Sequence, residues 1–448
     1  MPTPPKTPRA KSPVYSSGKE IAHKIFLEVM KAIDVRHAMR AKIRLQGEAL
    51  VAGDIQIPLV RAPRVVAFGK AARLMAAVLC EILGGKVEAG VIVGPAEPAE
   101  KMDRFRYFAG GHPYPNSGSL EGARAALKLV SNLSPGDTVI FLVSGGGSSL
   151  FELPLDPEIT LDDLLKLNQL LVTSELPIEQ INVLRKHLSA VKGGRLATRA
   201  NPARQLTVYI SDVPDHMPSM VASGPTMPDE STTAQCYALA AQHQLSDKFP
   251  PSIRKHFWGQ TLDETPKPGN PCFEHSQFFC LLSNREAVLA AQIASEKEGF
   301  YCEIDSNPWD ADFRLVADNS LAALDALRKQ HAGRPVALIV GGEVTCPVTG
   351  PGQGGRNQAL VLYATRRIAG QKRVVLSAGT DGRDGNSPAS GAIADGHTLA
   401  RATDRGYDPA QYLAESDSYH FFRSLGDTLD TGFTDNNVRD VRLFLDFA

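Results

Sequence analysis

The 448-residue chain contains no apolar run approaching the roughly 20 residues that a membrane-crossing helix requires. Its six cysteines include no C-x-x-C pair, which argues against a cysteine-rich zinc cluster. Scattered cysteines fit reduced thiols in a reducing compartment, so a cytoplasmic protein is expected. There is no charge surplus: 48 Lys and Arg stand against 49 Asp and Glu, so the basic footprint of a nucleic-acid binder is missing. Also absent are a G-x-x-x-x-G-K-[ST] phosphate loop, a G-x-S-x-G nucleophile elbow and a G-x-G-x-x-G turn after a first strand. The histidines form no metal-spaced triad. No acid precedes Glu20, as in transit peptides, but prolines at positions 2, 4, 5, 8 and 13 would break an amphipathic helix. A disordered tail is therefore expected over residues 1–17.

The remainder alternates strand-like and helix-like runs. Strands are expected at 64–68, 87–93, 138–143 and 206–210, and helices at 120–133, 161–174 and 178–199. A Pro/Gly-rich stretch at 265–271 interrupts the pattern. A second series follows, with strands at 301–305, 336–340 and 373–377 among helices. This order predicts an α/β protein of two Rossmann-like domains, over 18–250 and 270–448. In such sheets ligands sit outside the carboxyl ends of the strands, so an interdomain active-site cleft is expected.

The polar and glycine-rich segments fall at those strand ends. Ser144-Gly145-Gly146-Gly147-Ser148-Ser149 follows the strand at 138–143. Its glycines let successive backbone N–H groups turn toward one anion, and its serines add hydroxyls. In residues 349–357, Gly352, Gly354 and Gly355 lead into Arg356 and Asn357 at a helix start, a pattern suited to phosphate or carboxylate. Asp381 lies in Thr380-Asp381-Gly382-Arg383-Asp384-Gly385, and Asp212 follows the strand at 206–210; either acid could hold Mg²⁺ or act as a base, or simply cap a turn. Arg185, Ser189 and Lys192 would share one face of a helix over 178–199, beside Lys186. Lys70 opens a helix after the strand at 64–68. Glycine loops, cations and acids without a covalent nucleophile suit phosphoryl transfer, which works by positioning and charge neutralisation.

Together these segments resemble the glycerate 2-kinase family (glycerate kinase type-2), whose C-terminal part is the MOFRL domain. The resemblance runs from about residue 18 to the end. It is carried by Ala67-Phe68-Gly69-Lys70-Ala71-Ala72, Gly111-His112-Pro113, residues 143–150 and 182–197, Ser211-Asp212-Val213-Pro214 and residues 222–226. It continues through Gly341-Gly342-Glu343, residues 350–358 and 380–385, Thr431-Gly432 and Asn437-Val438. It implies an ATP- and Mg²⁺-dependent kinase acting on the 2-hydroxyl of D-glycerate, and is compatible with a homodimer. It implies that Lys70, Arg356 and Asp381 are catalytic, and that Asp212 and Asp381 hold metal. Residues 144–149, Lys192, Gly352, Gly354 and Gly355 would bind the nucleotide; Arg185, Lys186 and Asn357 would bind substrate. The chain departs from the family's usual pattern at Asp215-His216-Met217, where Gly-Asp-Asp is usual, and at Ala359, where Glu is common. The alternatives are an NAD(P)H-dependent hydroxypyruvate reductase, against which stands the missing dinucleotide fingerprint, and a kinase for a related sugar acid.

Overall fold

The structure, a computed structural model, describes residues 17–98, 100–174, 176–307 and 310–447. The tail expected over 1–17 thus lies, apart from Ser17, outside the described residues. Among the described residues no helix is long and apolar enough to cross a membrane.

The chain divides into two compact units. The first comprises residues 32–286 and 435–438; the second takes the segment ending at Lys31, residues 287–434 and the stretch from Arg439 onward. The division falls at Glu286/Ala287 rather than in the Pro/Gly-rich stretch, because a strand of the first sheet follows that stretch.

The first unit opens with a small antiparallel sheet of β1 (Ile43–Gln46), β2 (Ala49–Ala52) and β3 (Ile55–Pro58). Its main sheet contains β4 (Arg64–Phe68), β5 (Ala89–Gly94), β6 (Phe105–Ala109), β7 (Thr138–Val143), β8 (Arg204–Ile210) and β9 (Ser276–Leu282). The order is β6-β5-β4-β7-β8-β9, with every pair parallel. All six residues of β7 are buried, as a central parallel strand covered on both faces demands. Val66, Phe68, Phe141 and Val143 form its core with Val191 and Leu196.

The second unit contains β10 (Tyr301–Asp305), β11 (Val336–Val340), β12 (Arg373–Gly379), β13 (Gly391–Asp395), β14 (Thr428–Leu429) and β15 (Asp440–Asp446). The order is β10-β11-β15-β12-β13-β14. Only β10–β11 is parallel; β15 runs antiparallel to both its neighbours. The parallel arrangement expected throughout therefore holds in the first sheet, while the second is mixed. The cause is β15, a C-terminal strand inserted between β11 and β12.

Lys19, on the helix Ser17–Ala32, ties that helix into the second unit. Its Nζ lies 2.7 Å from Asp427 Oδ2 and 3.8 Å from Asp395 Oδ1, and it is only 1% exposed. Burial pulls its pKa down despite both carboxylates. Lys19→Met leaves Asp427 with Arg401 alone. The expected cost is about 3 kcal/mol, because the buried Asp427 carboxylate loses one of its two cations and Asp395 loses Lys19 as well. Urea unfolding at constant m checks it; an unchanged midpoint refutes it.

Candidate active site

In the first unit β4, β7 and β8 deliver their following residues to one edge. Ser144 N donates to Phe68 O (3.2 Å), Ala71 N to Ser144 Oγ (3.0 Å) and Lys70 N to Gly145 O (3.0 Å), which locks the two turns together. The approach is close enough that a Cβ on Gly69 would lie 2.3 Å from Ser144 Oγ, at a φ of +113° open only to glycine. Gly69→Ala is expected to cost about 3 kcal/mol through strain and clash. Chemical denaturation checks it, and an unperturbed midpoint would show that the turn is not tight. A Cβ on Gly146 would meet Lys70 Cγ at 3.3 Å and His112 Cδ2 at 3.1 Å, and one on Gly145 would meet Asp212 Oδ2 at 2.4 Å. Lys70, residues 144–149 and Asp212 are thereby brought together. His112 is held below the usual histidine value by burial and by the Lys70 charge, so it is neutral near neutral pH.

The serine hydroxyls do not all face an anion. Ser223 Oγ donates its only proton to Asn182 Oδ1 (2.9 Å), so in its 2.8 Å contact with Ser223, Ser148 is the donor. Ser149 Oγ donates to Gly146 O at 3.3 Å. The expected hydroxyl donors are therefore largely spent within the fold. What the loop retains are the amides of Gly147 and Ser148 at the start of the short helix Gly147–Leu150, while those of Ser149 and Leu150 donate to Gly146 O at 3.3 and 3.2 Å.

The basic helix is corrected more strongly. The helix ends at Leu188, Ser189 is extended, and Gly193 and Gly194 adopt positive φ before a new helix, Arg195–Ala200. Arg185, Ser189 and Lys192 do not share a helix face. They gather around a carboxylate that the sequence reading missed, Glu152. Ser189 Oγ donates to Glu152 Oε1 at 2.6 Å, and Lys192, completely buried, is ion-paired to Glu152. Burial pulls the Lys192 pKa down, countered in part by Glu152. Lys186 is likewise buried on Asp229 at 2.9 Å, and Arg185 donates to Asn168 Oδ1 at 2.8 Å. Lys186 and Lys192 thus already have carboxylate partners within the fold.

In the second unit Arg356 begins the helix Arg356–Thr365. Its Nε and Nη2 donate to Asp440 Oδ2 and Oδ1 at 2.8 and 2.9 Å, a two-point grip, and Nη1 lies 2.6 Å from Glu343 Oε1. Asp440 is fully buried and also accepts from Arg442 Nη2 at 3.0 Å. Burial would lower the Arg356 pKa, but Asp440 and Glu343 outweigh it and raise the value. The helix start is held by Asp384, which accepts from Asn357 N (3.0 Å) and Gln358 N (2.8 Å). Burial pushes its carboxyl up to about 6, with Asp440 adding to the rise and those two amides opposing it. Asn357 Oδ1 accepts from Ser377 Oγ at 2.5 Å, so it too is internally engaged.

The glycines before Arg356 serve close packing. A Cβ on Gly352 would meet Asp417, one on Gly354 would meet Ser418, and one on Gly355 would meet Asp384, all within 2.5 Å. Gly352 N donates to Glu415 O (2.9 Å), and Gly354 N to Asn386 Oδ1 (2.8 Å). The loop is thus a packed support for Arg356 more than an open cradle of amides. Asp381 Oδ1 accepts from Arg383 N at 3.1 Å, an Asx turn. A Cβ on Gly379 would lie 3.3 Å from Asp381 Oδ1 and 3.5 Å from Asp440 Oδ1, so Asp381 neighbours the Arg356–Asp440 pair. Asp212 and Asp381 belong to different units. Ala359 is buried in the second unit's core.

Sequence reasoning missed Glu152, Asp229 and the partner role of Asp440. The one available signal was the alternation of Asp440, Arg442 and Asp446 along an otherwise apolar strand.

Residues 21–258 match the family described as a domain of unknown function (DUF4147), and residues 336–440 match the MOFRL family. A D-glycerate 2-kinase from Thermotoga maritima is 40% identical over 86% of this chain and 91% of its own. An Agrobacterium vitis protein with the provisional name hydroxypyruvate reductase is 34% identical over 92% of this chain and 95% of its own. The crystal structure of a Thermotoga maritima glycerate kinase superposes with a TM-score of 0.83 at 34% identity, covering 96% of this chain and 99% of that one. On these matches, and on the order of motifs from Lys70 to Asn437, the chain belongs to the glycerate 2-kinase family.

Proposed function

We propose that this protein is a D-glycerate 2-kinase, which transfers the γ-phosphoryl group of ATP to the 2-hydroxyl of D-glycerate and gives 2-phosphoglycerate and ADP. The observation that carries the reading is Lys70. It stands on the glycine loop at the carboxyl edge of the parallel sheet, with no carboxylate partner among the described residues. A cation placed there without a counter-ion is what a transferring phosphoryl group needs.

In this reading the 2-hydroxyl oxygen bonds to the γ-phosphorus as the bond to the bridging oxygen breaks. Asp381 takes the hydroxyl proton, and Lys70 offsets the charge on the moving group. Arg356 holds the glycerate carboxylate through the guanidinium edge that now faces Glu343, while Asp440 keeps the guanidinium in plane. Among the described residues no three His, Cys, Asp or Glu converge as a metal cage. Mg²⁺ in kinases needs only one or two carboxylates beside the phosphates, and Asp212, pressed against Gly145, fits that manner of binding. Bound there, the ion would neutralise phosphate charge. ATP as substrate accords with a cytoplasmic protein.

The test is one assay on purified protein. D-glycerate, ATP and Mg²⁺ are supplied and product is read through enolase without a mutase, beside a parallel reaction with hydroxypyruvate and NADH. Turnover in the first is expected. NADH oxidation in the second, with silence in the first, overturns the reading in favour of the reductase.

A further inference from the structure

Three cavities in the two units differ in how their cations are used. The one beside Arg356, about 340 Å³, has its guanidinium already held by Asp440 and Glu343, and its second arginine, Arg314, is paired with Asp312. The one beside Lys186, about 530 Å³, has that ammonium held by Asp229. The third, about 270 Å³, lies at the ends of β4, β5 and β6. It is lined by Arg36, Lys70 and Arg73, and none of these three is ion-paired among the described residues. Two acids also line it: Glu97, which is bound to Lys101 at 2.9 Å, and Asp435. With Glu97 engaged by Lys101, three cations face Asp435 there, and the positive balance that remains favours an anion.

The far wall is apolar: Ile92 and Pro95 from the end of β5 and, in register with Ile92, Tyr107 from β6, whose neighbour Phe108 turns its side chain to the core on the other face. In the sheet order β6-β5-β4, Tyr107 and the strand that leads to Lys70 are two strand spacings apart, about 10 Å. A flat apolar wall at one end, cations at the other and about 10 Å between them match the shape of a nucleoside polyphosphate. Arg73 lies in the first turn of the helix Ala72–Ile82, one turn from Lys70. Arg36 comes from the helix Val35–Lys42, which packs on it.

We propose that this cavity is the nucleotide site. The base lies against Ile92, Tyr107 and Pro95, the phosphates run toward Lys70, and Arg36 and Arg73 are phosphate-binding residues. The assignment rests on the kinase reading for its biological ligand, but its test does not. ADP is titrated calorimetrically into the full-length protein and into Arg36→Ala, Arg73→Ala and the double variant. Both arginines are exposed, so their thermal midpoints should match wild type. The expected result is an ADP Kd at least tenfold weaker in the double variant. A matching rise in the KM for ATP is expected, with the KM for D-glycerate within twofold. An ADP Kd within twofold of wild type in the double variant overturns the site. Pyrophosphate that competes as well as ADP overturns the placement of the base. Wild type that binds ADP in this arginine-dependent way without phosphorylating glycerate upholds the site and overturns the kinase reading. Phosphorylation with an ATP KM indifferent to both arginines does the reverse.

Discussion

Lys70→Ala is expected to lower turnover with D-glycerate and ATP by about 100- to 1,000-fold, the loss that follows removal of one preorganised charge-stabilising donor. Its thermal midpoint should stay within about 2 °C of wild type, since surface substitutions rarely exceed half a kcal/mol. Stability and activity separate here for a structural reason. Lys70 has no carboxylate partner to orphan, and the turn it occupies is held by backbone bonds, Lys70 N to Gly145 O and Ala71 N to Ser144 Oγ, which an alanine keeps. Lys70→Arg should recover less than tenfold of the loss, because the stem is packed against Gly146 and a longer, planar head cannot reproduce a point charge. Enolase-coupled rates with parallel melting curves decide it. Wild-type turnover in Lys70→Ala removes the residue from the chemistry.

Arg356→Ala should behave differently and lose both activity and stability. Asp440 is fully buried, and its two-point grip from Arg356 is its main compensation, with Arg442 left behind at 3.0 Å. Breaking one side of a buried pair costs about 3–5 kcal/mol. The obvious alanine variant therefore confounds binding with folding. Arg356→Lys retains the charge but not the two-point geometry, so more than a tenfold loss of turnover is expected at a smaller stability cost. Adding Asp440→Asn to Arg356→Ala should cost further stability rather than restore it, because the buried Arg442 guanidinium then loses its carboxylate, and turnover should stay lost. Urea unfolding of the three variants, beside their rates, checks the scheme. Full stability in Arg356→Ala would show that Asp440 does not depend on it.

Much of the site's outline was legible in the order of residues. The strand over residues 138–143 reads as buried because it is an unbroken apolar run, and the glycines after it mark a turn at a sheet edge. Lys70 and Arg356 stand where helices start after such runs. The harder element was β15. Its sequence, Asp440-Val441-Arg442-Leu443-Phe444-Leu445-Asp446, places two acids and an arginine on one face of a strand, which from sequence argues for a solvated edge. In the fold it is central, because Arg442 reaches Gly341 O and Asp440, Arg356 closes on Asp440, and Arg373 holds Asp446 at 2.8 Å. Those partners lie between 2 and about 100 residues away along the chain, so no local pattern announces them.

The same distinction runs through the cations. Local sequence determined where strands end, where chain reversals need glycine, and that the chemistry suits phosphoryl transfer, because these follow from periodicity and backbone freedom over a few neighbouring residues. Which charges remain available to a ligand was decided only by tertiary structure. Lys186 and Lys192 read as an anion-binding face until Asp229 and Glu152 arrive from distant segments to neutralise them. Arg36 and Arg73, unremarkable in the sequence, converge on Lys70 with no such partner. A charge is spent or available according to what folds against it, and that is a property of contacts that the linear chain does not contain.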